Sequence, residues 1–330
     1  MNWVIWRQYR IEALIGVLVL VLLIIWLGID GLVTRSAYQS LGMVACVAQH
    51  PHTTYYDCEW PLSDSVGNGQ LRSMVATMTY FLPILVAVFV GALLVSRERE
   101  RQTNYLAWSQ SVTRTHWLAV KLSWVTSITL MAFLAVNLLL NWWSAPWISL
   151  SSDGPWVYYD QTGFVMLGFA LFGLMLGVAV GTVIGKTVPA MLLTLLLFIL
   201  FSVGMQRVYL HFIPPQSQFF SAVATVDENA SVQPGDMTLH TGYADQQGQE
   251  IGDLAVYCGF HSNPLIPQAD DKAYQALANQ CIQTHHLQWK VVYQPPERVW
   301  QLQAIETAIL LALASVLACF SFWWVRRRIC

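Results

Sequence analysis

The sequence predicts an all-α polytopic membrane protein with six transmembrane helices, and three observations predict it. The 330-residue chain is 55% hydrophobic and only 11% charged, where soluble domains carry roughly 25% charged residues. Six apolar segments, 11–29, 74–95, 117–142, 164–184, 188–205 and 302–325, each come close to or exceed the roughly 20 residues needed to cross a hydrocarbon core. Fifteen tryptophans and a mean hydropathy of +0.47 fit a chain anchored at membrane interfaces.

The first segment follows Arg7 and Arg10, as a signal peptide would. It is nevertheless long for such a core, and the Leu-Gly-Ile-Asp-Gly after it is no cleavage site, so it reads as a retained helix. Residues 1–10 hold Trp3, Trp6, Arg7 and Arg10, a basic-aromatic interfacial helix expected to lie flat in the inner headgroups. Residues 11–206 hold helices one to five, with an outer loop at 30–73 and a cytoplasmic loop at 97–116. Residues 207–300 form an insert, and 301–330 the sixth helix with a basic tail.

Lysine and arginine set the orientation. With both termini cytoplasmic, the short inner segments hold 11 of the 17 basic residues. The much longer outer segments hold the other 6, together with 15 of the 19 acidic ones. Four of the six cysteines then fall outside: Cys46 and Cys58 in the first loop, Cys258 and Cys281 in the last. That distribution suggests two disulfides in an oxidising compartment. Of the three possible pairings the local one, Cys46–Cys58 with Cys258–Cys281, is the simplest.

The insert at 207–300 is rich in Gln, Asp, Pro and Gly, with short apolar runs at 254–257 and 287–293. It is expected to be an α+β or irregular extracellular domain. Its start, YLHFIPPQSQFF, is aromatic and broken by Pro214-Pro215, and reads either as a re-entrant hairpin or as a surface loop.

Several apparent motifs dissolve on inspection. GTVIGKT at 181–187 has three residues between its glycines, where a phosphate-binding loop needs four. Gly173, Gly177, Gly181 and Gly185 instead recur every fourth residue, a stripe on which another helix packs closely. That helix belongs either to the same protomer or to a second subunit, or the stripe walls a path. His-Pro-His at 50–52 and His-His at 285–286 lack a closed ligand set, so no metal is expected. No motif of nucleophilic or metalloprotease catalysis is present in the sequence, and no nucleic-acid partner is expected.

Ionisable residues within the spans are few. Glu12 sits near the inner end of span one and Glu306 near the outer end of span six. Tyr80 and Thr79 in span two, with Asn137 and Asn141 in span three, are the other polar groups. Tyr80, Asn137 and Glu306 are the candidate pathway residues. They form no ladder of midplane charges such as ion-coupled transporters carry.

The most distinctive stretch is 97–121, RERERQTNYLAWSQSVTRTHWLAVK, a polar island between spans two and three. Five alternating charges leave the membrane, and Tyr105, Trp108 and Val112 follow at helical spacing. Together with Trp-Arg-Gln-Tyr-Arg at 6–10, the six-span order and the insert between spans five and six, this stretch resembles permease subunits of bacterial ABC exporters, particularly those of actinobacteria and other Gram-positive organisms. The resemblance covers about two thirds of the chain, the membrane frame.

That resemblance implies a bacterial plasma-membrane exporter subunit that binds no cofactor itself. Two separate ATPase subunits would carry ATP and Mg, beside a second permease copy or homologous permease and the membrane lipids. Residues 104–112 would be the coupling helix, with Tyr105, Trp108, Ser109, Gln110 and Arg114 at the motor and Glu98, Arg99, Glu100 and Arg101 as docking charges. Trp6, Arg7 and Arg10 would belong to the connecting helix. Apolar, Trp-rich walls favour a hydrophobic or amphipathic substrate. Two other classes fit the same sequence: a receptor or immunity protein whose outer domain binds a ligand, and an ion-coupled secondary transporter.

Overall fold

The computed structural model describes residues 2–49, 58, 60–67, 69–101, 113–222, 233, 235–259 and 271–328. Its residues fall into two compact units, 1–150 with 158–212 and 300–330, and 151–157 with 213–299.

Among its described residues the first unit is built of helices. Helix α1 (Asn2–Ser40) leads to the short α2 (Met43–Gln49) and α3 (Trp60–Val66). Then α4 (Gly69–Leu85) passes through a π-helical stretch, Val86–Ala92, into α5 (Leu93–Glu100). Beyond lie α6 (Arg114–Leu150), α7 (Gly163–Ile184) and α8 (Thr187–Val208), and α11 (Val299–Arg328) returns after the second unit. Six of these segments are long and apolar enough to cross a membrane.

Two helices outrun their expected spans. Residues 2–10 are not a separate interfacial helix but the first turns of α1. The reason is local: no Gly or Pro interrupts the chain before Gly16, so nothing ends the helix where the charged residues stand. Helix α6 has 37 residues, about 55 Å at the α-helical rise, far more than the roughly 30 Å of a hydrocarbon core. Its extension carries Trp147 and Leu150, which pack with Met43, Cys58 and Leu62 from the first loop, beside the Cys46–Cys58 disulfide. Helix α1 meets the same helix through Gly31, where a Cβ would collide with the Trp142 ring. Trp143 Nε1 donates to Asp30 at 2.8 Å, and Arg35 donates to the Trp142 carbonyl at 2.7 Å.

Helix α7 is the central element, the most deeply buried of the membrane-length segments among the described residues. The glycine stripe explains its access to its neighbours. A Cβ at Gly177 would collide with the Ala87 carbonyl oxygen and stand 2.6 Å from the Ala92 nitrogen; one at Gly181 would stand 2.6 Å from the Ala92 oxygen. A Cβ at Gly173 would lie 2.8 Å from the Phe198 ring. The contact is reciprocal, since a Cβ at Gly91 would meet the Leu174 oxygen at 2.6 Å. Two backbones therefore touch along 86–92, and Phe172, Leu176, Val180, Ala190, Phe198 and Leu310 close the core around them.

Among its described residues the second unit holds a three-stranded antiparallel sheet and two α-helices. Strands β1 (Gln216–Ser221) and β2 (Met237–Ala244) flank β3 (Gln288–Gln294), in the order β1-β3-β2. The segment after Pro214-Pro215 is thus an edge strand, its backbone groups taken up by β3, and not a returning helical hairpin. Helices α9 (Leu254–Tyr257) and α10 (Asp271–Thr284) share the apolar core of Leu254, Ala278, Ile282 and Leu287, and the Cys258–Cys281 disulfide joins them. Asp253 caps α9, accepting from Ala255 N at 2.7 Å. Residues 151–157 belong here because Gly154, at φ +54, meets Gly235 backbone to backbone, and Gly235 N donates to the Ser152 oxygen at 2.8 Å.

Gly177→Ala costs on the order of 3 kcal/mol of stability, measured as a lowered unfolding midpoint in detergent. Gly204→Ala, at a site with nothing within 4 Å, is neutral or stabilising by up to about 1 kcal/mol. In the sheet, Glu250 is held below the usual carboxylate range, first by the hydrogen bond from Lys290 Nζ at 2.7 Å. A depressed folded-state value stabilises above the unfolded value of about 4.3 and is lost as pH falls through the folded one. The stability difference between wild type and Lys290→Met therefore shrinks as pH drops below about 4, read by thermal unfolding.

Candidate functional site

Two polar assemblies stand out in the helical unit, one where α5 ends and one at the far ends of α7, α8 and α11. The first is built from the alternating charges. Successive residues on a helix point about 100° apart, so Glu98, Arg99 and Glu100 address three different neighbours.

Glu98, only 7% exposed, forms an ion pair with Lys121 of α6, itself 3% exposed and 4.5 Å above the Trp117 ring centre. Arg99 donates to the Thr182 carbonyl and, at 3.4 Å, to that of Val183, the last carbonyls of α7. Gly185 ends that helix at φ +65, and a Cβ there would stand 2.7 Å from the Arg99 guanidinium carbon. Glu100 accepts from Thr187 N at 2.9 Å and from the Thr187 hydroxyl, at the first turn of α8. A cation thus sits at the partly negative end of one helix and an anion at the partly positive start of the next.

The expected docking charges Glu98, Arg99 and Glu100 therefore have partners within this chain. The cause is that α5 runs on past the apolar stretch while still packed on α6 and α7, which places these side chains against helix ends rather than in solvent. Arg101 is exposed at the C-cap of α5, and Arg114, half-buried, opens α6. Tyr105, Trp108, Ser109 and Gln110 lie outside the described residues. Trp6, Arg7 and Arg10 stand on α1, but their side chains also lie outside them.

The second assembly gathers two of the three candidate pathway residues. Glu306, 1% exposed, accepts from the Tyr159 hydroxyl at 3.0 Å, and Tyr159 stacks on Tyr209 at 4.7 Å. Gln303 donates to the carbonyls of Tyr159 and Thr162, both at 3.0 Å. Tyr80 is bonded by Gln206, whose side chain also reaches Asp160. Tyr80, Asp160 and Gln206 form the polar end of a cavity of about 170 Å³ walled by Phe81, Ile84, Phe169, Phe198 and Val203. Asn137 is not part of it: its amide donates to the Gly163 carbonyl at 2.7 Å and its backbone carbonyl accepts from Asn141.

Sequence reasoning missed Asp160, which reads as one more outer-loop acid just before span four. The available signal was Tyr158-Tyr159-Asp160, an aromatic pair beside a carboxylate, which marks an interface. Among the described residues no group of three metal-ligating side chains exists.

Lys121→Met leaves the Glu98 carboxylate buried without its counter-charge and costs about 3–5 kcal/mol. The double variant Glu98→Leu, Lys121→Met recovers most of that loss, measured by chemical unfolding in detergent.

A model of the family described as ABC-2 membrane transporter related matches residues 17–209, which carry the first five spans, the clasp of charges at 98–100 and the residues that wall the cavity. No curated protein and no solved structure matches the chain. The match spans more than half of the sequence and falls on a frame of membrane-length helices. The chain belongs to the ABC-2 membrane transporter related family and is a multi-pass membrane permease of that type.

Proposed function

We propose that this chain is the transmembrane permease subunit of an ATP-driven ABC exporter in the bacterial plasma membrane, moving a hydrophobic or amphipathic compound. Both termini face the cytoplasm, and the insert at 207–300 faces outward. Two separate ATPase subunits hold ATP and Mg and act on the 97–116 loop, and a second permease completes the assembly. Family membership supports the transport role.

One observation carries the coupling. Glu98, Arg99 and Glu100 tie the end of α5 to α6, to the end of α7 and to the start of α8. A push on the loop between α5 and α6 thus reaches four spans through short, charge-assisted bonds. Three of the elements so joined, the second span with α7 and α8, also wall the cavity at their other ends. Closure of the motors would tilt these spans together and change access to the cavity.

Co-expression with an ABC-type ATPase tests the reading. A stoichiometric complex forms with the wild type and is lost in Trp108→Ala. Glu100→Gln keeps the ATPase but lowers coupled transport about tenfold, within the usual range of coupling energies. Transport of the same rate by the chain alone, driven by an ion gradient, would overturn it. Asp160 and Glu306 support that second reading, since carboxylates in membrane-length segments also serve ion coupling; ATPase-free liposomes with an imposed gradient discriminate the two.

A further inference from the structure

We infer that the cavity at Tyr80 is a subsite for the cationic group of an amphiphile, an alkylammonium or guanidinium bearing an apolar tail, with Asp160 as its counter-ion. The inference rests on the permease reading and names the substrate class of the same path. Size sets the first limit. At about 170 Å³ the cavity compares with an apolar hole of about 150 Å³ that admits benzene, and it is smaller than pockets of about 300 Å³ that take whole drug-sized ligands. It holds one group of a substrate.

Charge sets the second. Asp160 lines the cavity, and Glu306 lies close enough to interact with it electrostatically. Neither forms an ion pair with a Lys, Arg or His among the described residues. Carboxylates in membrane-length segments are costly and ordinarily paired, so a ligand cation supplies what the protein does not. An anionic ligand would meet the Asp160 carboxylate, with Glu306 behind it, and no cationic residue among the described ones lines the cavity to offset it. The absence of a three-ligand group among the described residues disfavours a metal ion, and the phenylalanine walls favour an organic cation.

Two further features point to a ligand. The Ser202 hydroxyl, shielded from solvent in the cavity wall, has no hydrogen-bond partner among the described residues. Tyr80 stands in the same wall beside Asp160, presenting the kind of ring that attracts ammonium and guanidinium groups.

The test uses the full-length protein in nanodiscs of zwitterionic lipid, titrated with decylammonium, decanol and decyl sulfate, with empty nanodiscs subtracted. Calorimetry is expected to show decylammonium binding at least about tenfold more tightly than decanol, and no saturable binding of decyl sulfate. Asp160→Asn lowers decylammonium affinity about tenfold and leaves decanol unchanged. Ser202→Leu, which fills the cavity without touching the charges, abolishes saturable binding of both. Equal binding of the three probes, or full decylammonium affinity in either variant, overturns the inference. If Asp160→Asn does not fold, the probe ranking and Ser202→Leu decide alone. Because no ATPase is present, this outcome is independent of whether an ATPase co-purifies.

Discussion

The backbone contact between the π-helical stretch 86–92 and the glycine face of α7 is the constraint on which the helical unit depends. Gly177 and Gly91 admit it, and Ala87 and Ala92 keep it thin. Where no water competes and lipid is as apolar as the side chains, close van der Waals approach is what holds helices together. The π-helical turn belongs to the same solution. It follows Pro83, which removes a backbone donor, and it swings Gly91 onto the face that meets α7.

Because the second span is fixed on α7 in this way, its two ends are fixed as well. At one end α5 delivers three consecutive charges to α6, α7 and α8. At the other end Tyr80 faces Gln206 and Asp160. The second span thus carries a charged clasp at one end and part of a cavity wall at the other, which is the arrangement the proposed coupling uses. The glycine stripe, whose last repeat overlaps the stretch that resembles a phosphate-binding loop, is thus a helix-packing face, and Gly185 allows the turn on which the Arg99 end of the clasp rests.

The second unit follows different rules. Its sheet has only three strands and a small apolar core, the regime in which a disulfide matters most. Cys258–Cys281 joins the two helices that cover that core, and Lys290 of β3 pairs with Glu250, which bridges the end of β2. Tight turns complete it, with Gly154 and Gly235 in conformations that a side chain would strain.

Much of the frame was legible from residues alone. Membrane length and apolar composition are local quantities, so the six spans and the insert between the last two follow directly from the sequence. The four-residue glycine period likewise marked a packing face, because periodicity on one helix is written in one segment. What the sequence left open is what depends on a partner far along the chain. Whether Glu98 and Glu100 face a motor or a neighbouring helix turns on Lys121 and Thr187, 23 and 87 residues away. Asp160 reads as a loop acid until Gln206 and Glu306 are brought beside it. The extra length of α1 and α6 was hidden as well, since α1 meets no breaker before Gly16 and α6 runs on through Pro146 where a folded loop packs against it. Composition determined that this chain crosses a membrane; only tertiary packing decided where its few charges are held, because a buried charge is placed by its partner and not by its neighbours in sequence.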